Sequence, residues 1–178
     1  MLKEVTLLSF GGQGGVTAAR ILALAAVKDG MYAQAIPQFG AERRGSLVRS
    51  YLRLSDSLVR RHSSIKKADV VSIFAEKILR IVNIEDYLKK DGLTIINADK
   101  GGDYCINASE IALKLNLVSA GWPIVNTAMS GAMAKVLGIR ESCLIEAIKE
   151  TFHGELAEKN AKAAEEAYRG VSKCQDTE

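Results

Sequence analysis

The chain alternates between apolar runs of strand length and longer helical stretches, an order that predicts an α/β fold. Residues 4–10 form an apolar and β-branched run, and residues 16–29 form an Ala-, Leu- and Ile-rich stretch of helical length that stops at Gly30. The nearly continuous apolar runs at residues 70–74 and 93–97 are typical of strands buried on both faces of a sheet. We therefore predict a mostly parallel central sheet flanked by helices.

The remaining periodicity predicts further elements along the whole chain. Strands are predicted at residues 32–36 and, more weakly, 117–120, and helices at residues 77–88, 108–116, 127–137, 142–152 and 155–168. Asn126 stands at the N-cap position of the helix at 127–137. The polar end of the chain, residues 170–178, is expected to fray. No internal repeat or linker interrupts the sequence, so residues 1–178 are predicted to form one domain.

Residues 47–62 have the pattern of an antiparallel β-hairpin. The first strand alternates between an apolar face and a face that carries Arg49, Tyr51 and Arg53, and residues 58–62 supply the second strand. Six arginines fall within nineteen residues here: Arg43, Arg44, Arg49, Arg53, Arg60 and Arg61. A basic outer face of this kind fits an acidic partner surface or a phosphate-bearing ligand. Nucleic acid is poorly supported, because Tyr51 stands without a series of aromatic residues for base stacking.

The loop between the first strand and the first helix carries candidate chemistry. It consists of Gly11, Gly12, Gln13, Gly14 and Gly15, with Thr17 in the first helical turn. Glycines at such a junction tolerate positive φ and let a ligand approach, and free NH groups at the start of a helix bind anions. The loop fits phosphate or carboxylate binding, and it fits equally a tight turn that packs against a neighbouring strand.

Two nucleotide-binding fingerprints are incomplete in this loop. Gly12-Gln13-Gly14 begins a dinucleotide pattern, but Thr17 stands where the third glycine belongs. The predicted second strand ends in Pro37-Gln38 instead of an acidic residue that could bind a ribose. No Gly-Lys-Ser/Thr follows the glycines, so the P-loop pattern fails as well. A nicotinamide, flavin or P-loop nucleotide site is therefore disfavoured.

A second loop, residues 37–46, combines residue types that suit an anion contact. It holds an aromatic residue, two glycines, an acid and two adjacent arginines: Phe39, Gly40, Glu42, Arg43, Arg44 and Gly45. If the strands before the two loops are parallel, both loops leave from the same edge of the sheet and face the same crevice. Arg43 and Arg44 are either a solvated turn or an ion pair with Glu42 plus one outward anion contact.

Composition narrows the setting of the protein. No apolar stretch reaches the roughly 18 to 20 residues that a membrane span requires, and the N-terminus lacks the features of a signal peptide. We therefore expect a cytoplasmic protein. Cys105, Cys143 and Cys174 are far apart and form no CxxC pair, so no zinc site or iron-sulfur cluster can be assembled by local spacing, and plain thiols are expected. A net charge of +3 is too small to indicate nucleic acid binding.

The order and spacing of these motifs resemble the gamma subunit of 2-oxoacid:ferredoxin oxidoreductases, the pyruvate and ketoisovalerate group. The resemblance is carried by residues 11–17 together with residues 39–45, and it continues through residues 52–56, 68–71 and 126–132 to the C-terminal helices. Ala41 stands where the family often has proline, and Ser46 stands where glycine or alanine is frequent. These departures blur the substrate subgroup more than the family.

The resemblance implies a complex that converts a 2-oxoacid and CoA to acyl-CoA, CO₂ and reduced ferredoxin, with thiamine diphosphate, Mg²⁺ and iron-sulfur clusters held by other subunits. It implies a non-catalytic role for this chain, with the two loops lining the CoA path and thiamine-binding and ferredoxin-like subunits as partners. The predicted basic hairpin and the small-residue face around Gly131 offer surfaces for such assembly. The alternative is a freestanding α/β protein that binds a nucleotide or an acyl-phosphate.

Overall fold

The computed structural model describes residues 1–37 and 45–175 and shows an α/β fold. The strands are β1 (Leu2–Phe10), β2 (Tyr32–Pro37), β3 (Leu47–Ser55), β4 (Ala68–Ile73), β5 (Leu88–Asn97), β6 (Tyr104–Ile106), β7 (Val118–Ser119), β8 (Trp122–Pro123) and β9 (Ser172–Lys173). The helices are α1 (Gly15–Lys28), α2 (Ala108–Lys114), α3 (Asn126–Leu137), α4 (Glu141–Thr151) and α5 (Gly154–Gly170). Most predicted elements are present within a few residues of their expected bounds.

The central sheet has seven strands in the order β2-β3-β1-β4-β5-β6-β9. Strands β1, β4, β5 and β6 are parallel neighbours. Strand β3 is antiparallel to both β1 and β2, so β2 points in the same direction as β1. Five of the seven strands therefore share one direction, which confirms the prediction of a mostly parallel sheet.

The two faces of the sheet are covered by different structural elements. One core joins the sheet to all five helices and includes Leu7, Leu52 and Ile95. The opposite face carries a smaller core around Leu8 and Ile73 that is covered by irregular and 3₁₀ segments. Because both faces are covered, the central strands are apolar on both sides, which explains their continuous apolar runs.

The hairpin predicted at residues 47–62 is wrong. Its first half is strand β3, but β3 pairs with β1 and β2, and residues 58–62 form no strand. The predicted outer face is covered: Arg53 is 1% exposed and Tyr51 is 5% exposed. Alternation predicts that a segment is a strand, but it does not identify the neighbours of that strand. Among the described residues, the antiparallel pairs that are consecutive in the chain are instead β2–β3 and the short, separate β7–β8 pair.

The helix predicted at residues 77–88 is also wrong. Two short 3₁₀ helices, Glu76–Arg80 and Ile84–Asp86, stand in its place. The Asn83 side chain accepts a hydrogen bond from the backbone NH of Glu85, which starts the second turn. Strand β5 then begins at Leu88 and takes in the residues predicted as a turn, with an irregular register against β4.

The end of the chain is tied down where fraying was expected. Strand β9 pairs with β6, and Cys174 forms a disulfide with Cys105, while Cys143 is free and buried. The prediction of plain thiols is therefore wrong for two of the three cysteines. The pair is separated by 69 residues and comes together only because α5 returns the chain to the sheet edge, which local spacing could not reveal. Residues 176–178 lie outside the described part of the chain.

The small-residue face of α3 packs inside the chain. A Cβ atom at Gly131 would collide with the backbone oxygen of Ala164 in α5. Close packing was expected there, but the partner is another helix of this chain, so the face is not available to another subunit. No helix in the described residues is both long and apolar enough to span a membrane.

Candidate functional site: the glycine loop at the sheet edge

The glycine loop lies at the carboxyl edge of the sheet, between the end of β1 at Phe10 and the start of α1 at Gly15. Gly14 has a φ of 81°, in the left-handed region that favours glycine. A Cβ atom at Gly15 would collide with Ser9 Oγ. The tight turn anticipated from the sequence is therefore present, and it brings the start of α1 directly against the sheet.

The first turn of α1 leaves three backbone donors available. Ala18 is the first residue whose NH bonds within the turn, to the Gly14 oxygen at 2.9 Å. No side chain caps the helix, and its first turn contains no acidic residue. Within residues 1–37 and 45–175, the NH groups of Gly15, Val16 and Thr17 have no acceptor. Free NH groups and the positive end of the helix dipole form an anion-binding geometry.

The Gln13 side chain connects the ends of two neighbouring strands. Its Oε1 accepts a hydrogen bond from the Phe10 NH at 2.7 Å, and its Nε2 donates to the Phe74 oxygen at 3.4 Å. Asn97 Nδ2 donates to the same Phe74 oxygen at 2.9 Å. The Gln13 amide therefore links the ends of β1 and β4, which is a structural contribution to the site.

The second predicted loop leaves from the same sheet edge as the first and bonds to it at its C-terminal end. Strand β2 delivers the chain to the same edge as β1, because the two strands share one direction. The Gly11 NH donates to the Ser46 oxygen at 2.8 Å, and the Gly45 NH donates to the Gly11 oxygen at 3.3 Å. The expectation that the two loops leave from one edge is confirmed for these flanking residues.

The side chains with which the second loop was predicted to act lie outside the described residues. Residues 38–44, which include Phe39, Gly40, Glu42, Arg43 and Arg44, are not among them. Their proposed anion contact and ion pair stay predictions. Gly45 is described: its φ is 87°, and no heavy atom of the described residues lies within 4 Å of the place where a Cβ would stand.

Asn126 borders the glycine loop, which the sequence did not predict. The pattern assigned it to the N-cap of a helix, but it lies inside α3, and Val125 occupies the cap position. Its Oδ1 accepts a hydrogen bond from the Thr127 NH at 2.8 Å. Its Nδ2 lies 2.8 Å from the place of a Cβ atom on Gly14. This contact joins segments more than a hundred residues apart, so no local signal could have found it.

The buried arginine of the predicted basic face belongs to a closed network. Arg53 Nε contacts Glu4 Oε1 at 3.0 Å, and its two NH₂ groups donate to the oxygens of Arg61 and Ser63 at 3.2 and 2.7 Å. Burial lowers the pKa of Lys89, but hydrogen bonds and charge attraction from Asp69 and Glu4 outweigh it and raise the pKa overall. These charges are satisfied internally, so Arg53 is not available to a ligand.

Other surface features do not compete with the loop as a site. An open groove of about 660 Å³ runs between α2, α4 and α5. Much of its charged lining is already paired, as in the Lys149–Glu158 and Lys159–Glu155 contacts at 3.0 and 2.8 Å. Among the residues the structure describes, no group of three or more His, Cys, Asp or Glu side chains is arranged to hold a metal ion.

Comparison with known proteins identifies the family. The family model for pyruvate ferredoxin/flavodoxin oxidoreductase matches residues 4–170. The chain belongs to this family. It is 45% identical over 177 residues to the pyruvate synthase subunit PorC of Methanothermobacter thermautotrophicus, with 96% of each chain covered. It is 44% identical over 175 residues to the pyruvate/ketoisovalerate oxidoreductases common subunit gamma of Thermococcus kodakarensis, which covers 93% of this chain and 95% of that protein.

A solved structure of this oxidoreductase family has the same fold. The crystal structure of the pyruvate oxidoreductase subunit PORC of Thermotoga maritima matches with a TM-score of 0.80 and 28% identity. The match covers 98% of this chain and 99% of that one. The predicted membership of the 2-oxoacid oxidoreductase family is therefore confirmed.

Proposed function

We propose that the chain is the gamma subunit of a 2-oxoacid:ferredoxin oxidoreductase complex that converts a 2-oxoacid and CoA to acyl-CoA, CO₂ and reduced ferredoxin. The observation that carries the proposal is the similarity, over nearly the whole chain, to proteins named as PorC or as the common gamma subunit. Their names indicate pyruvate and ketoisovalerate as the oxoacids. The alternative of a freestanding nucleotide- or acyl-phosphate-binding protein is not favoured, because these relatives are subunits.

Within this complex the chain is a non-catalytic subunit. An iron-sulfur cluster bound by cysteines takes four thiolates, whereas the chain has three cysteines, two of which are joined to each other. The cysteines of this chain therefore do not fit such a cluster. We assign thiamine diphosphate, Mg²⁺ and the clusters to the other subunits and the whole complex to the cytoplasm.

The chain's own contribution is to complete the assembly and to line the CoA path with the glycine loop. CoA carries several phosphate groups, and the NH groups of Gly15, Val16 and Thr17 suit an oxyanion. The loop at residues 37–46 leaves from the same sheet edge, and its end at Gly45 and Ser46 bonds to Gly11, so we propose that Arg43 or Arg44 contacts the same ligand. A charge-assisted contact is worth about 1.5 to 3 kcal/mol, or about tenfold to hundredfold in affinity.

A carboxylate at the start of α1 tests this assignment. Thr17→Asp adds negative charge beside the free NH groups, where it favours the helix but repels a phosphate. In the co-expressed complex, we expect the KM for CoA to rise about tenfold, with the KM for the 2-oxoacid unchanged. Ser64→Asp is the matched control, because it adds the same charge at an exposed position on an irregular segment. An unchanged KM for CoA in the Thr17→Asp complex would show that the glycines serve only close packing.

A further inference from the structure

We propose that Asn126 is a side-chain ligand of the glycine-loop site and that its NH₂ group donates a hydrogen bond to a phosphate oxygen of CoA. The inference rests on the proposed function of the loop and adds a binding residue from a different part of the chain. It assigns a site of two components, with backbone donors from α1 and one carboxamide donor from α3.

The orientation of the Asn126 carboxamide follows from its hydrogen bond. The Thr127 NH is a donor and can bond only to an acceptor, so the atom 2.8 Å from it is the oxygen Oδ1. The NH₂ group must therefore form the other end of the amide. That end has no acceptor in the described chain, although Asn126 is only 6% exposed. The nitrogen is not one of the fully buried side-chain atoms without a partner, so it keeps access to solvent, and a ligand or water can accept a hydrogen bond from it.

The unpartnered NH₂ group lies beside the free end of α1. Nδ2 is 2.8 Å from the place where a Cβ atom on Gly14 would stand, closer than real Cβ contacts allow. Gly14 is the N-cap of α1 and directly precedes the NH groups of Gly15, Val16 and Thr17. The missing side chain of Gly14 thus brings a carboxamide donor next to three backbone donors.

The start of α3 is held rigidly behind Asn126. Ser130 Oγ donates to the Asn126 backbone oxygen at 2.8 Å. Thr127 Oγ1 donates to Asn160 Oδ1 at 2.8 Å, and Asn160 Nδ2 donates to the Leu156 oxygen at 2.8 Å, which ties α3 to α5. Fixed donors bind a ligand with little loss of conformational freedom, as expected of a prepared binding residue.

Asn126→Asp separates a binding role from a structural one. The substituted carboxylate still accepts from the Thr127 NH, and a negative charge in the first turn favours α3. It replaces a donor by a repelling oxygen. We expect the co-expressed complex to keep or raise its Tm while the KM for CoA rises at least about tenfold and the KM for the 2-oxoacid stays constant. A lowered Tm with an unchanged KM for CoA would overturn the proposal, as would loss of assembly, which would point to an oxyanion of a partner subunit.

Two further variants keep this result interpretable. Thr127→Val removes the bond to Asn160 without touching the NH₂ group of Asn126, so it should lower the Tm and leave the KM for CoA unchanged. Thr17→Asp reports on the loop itself. If Thr17→Asp raises the KM for CoA and Asn126→Asp does not, the inference on Asn126 is wrong and the function of the loop stands. If neither raises it, the CoA assignment of the loop fails and the inference fails with it.

Discussion

Strand β1 joins two polar regions that differ in how their hydrogen-bonding groups are satisfied. Near its start, Glu4 contacts Arg53 at 3.0 Å and Lys89 at 3.3 Å, and its backbone NH donates to Asp69 at 2.8 Å. Near its end, the first NH groups of α1 and the NH₂ group of Asn126 have no acceptor in the described chain. The groups near the start of β1 are satisfied within the protein, whereas the donors near its end are free to bind a ligand, which is why we propose the binding region there.

The comparison also shows why charge in the sequence is a weak guide to function. Six arginines at residues 43–61 suggested a basic binding surface, yet Arg53 is buried and bonds to groups inside the protein. The glycine loop carries no charge of its own and still offers the more suitable anion site, because its donors are backbone NH groups at a helix start. Whether a polar group is already paired decides which role it takes.

The closed network should respond most strongly to mutation. Arg53→Met leaves Glu4 and the backbone oxygens of Arg61 and Ser63 without their partner, and breaking a buried ion pair costs about 3 to 5 kcal/mol. We expect a loss of this size in the free energy of unfolding, measured by urea denaturation, and an unchanged KM for CoA in any complex that assembles. Thr17→Asp should leave the free energy of unfolding nearly unchanged and raise the KM for CoA.

Arg49→Met is the matched control for this prediction. Arg49 lies on the same strand, but its guanidinium stacks on the Tyr87 ring, 5.2 Å from the ring centroid. A contact of this kind is worth about 0.5 to 1 kcal/mol. Equal losses for the two arginine variants would contradict the distinction between a closed network and an ordinary surface contact.

Removal of the disulfide between Cys105 and Cys174 should have the next largest effect on stability. Cys174→Ser opens a loop of 69 residues, and removing such a crosslink typically costs about 2 to 4 kcal/mol. A dithiol reductant should lower the Tm of the wild-type protein to about the Tm of the variant, and it should leave the Tm of the variant unchanged. If the reductant lowers both equally or neither, the crosslink does not contribute to stability.

The sequence predicts elements whose signals are local. The boundaries of β1, the glycine turn and α1 were predicted within about two residues, since apolar runs and glycines mark them directly. The neighbours of β3 were not predicted, because alternation is the same whichever strand lies beside it. The helix at residues 77–88 failed because its apolar spacing is also met by 3₁₀ turns that pack Ile78 into the second core.

The candidate site likewise contains features that local sequence signals predict and features that they do not. Gly11 to Gly15 could be identified because a glycine-rich strand-to-helix junction is a local feature with known chemistry. The contact between Asn126 and Gly14, and the crosslink between Cys105 and Cys174, depend on how α3 and α5 pack across the sheet. Long-range contacts of this kind leave no periodicity in the sequence.

A substitution at the C-terminal end of α1 should have the smallest effect on stability. It allows the two ends of one helix to be compared. Its N-terminus is uncapped, whereas at its C-terminus the Asp29 carboxylate accepts hydrogen bonds from the backbone NH of Arg140, at 2.8 Å, and from the Arg140 guanidinium. The backbone NH of Arg140 is the main cause that lowers the pKa of Asp29, and the guanidinium adds to it. Because the folded-state pKa lies below the unfolded value of about 3.9, this contact stabilises the protein above about pH 4 and loses its effect as the pH falls through the folded pKa.

Asn replacement of this residue, Asp29→Asn, removes the charge while keeping an acceptor. We expect a loss of up to about 1 kcal/mol at pH 7, because Arg140 is largely exposed to solvent. The difference from wild type should shrink below pH 4, as the wild-type carboxylate becomes protonated as well. Urea denaturation at pH 7 and pH 3 measures both values. A difference that is constant across this range would show that the Asp29 charge does not hold the end of α1, and the contrast between the two helix ends would then rest on the free N-terminal donors alone.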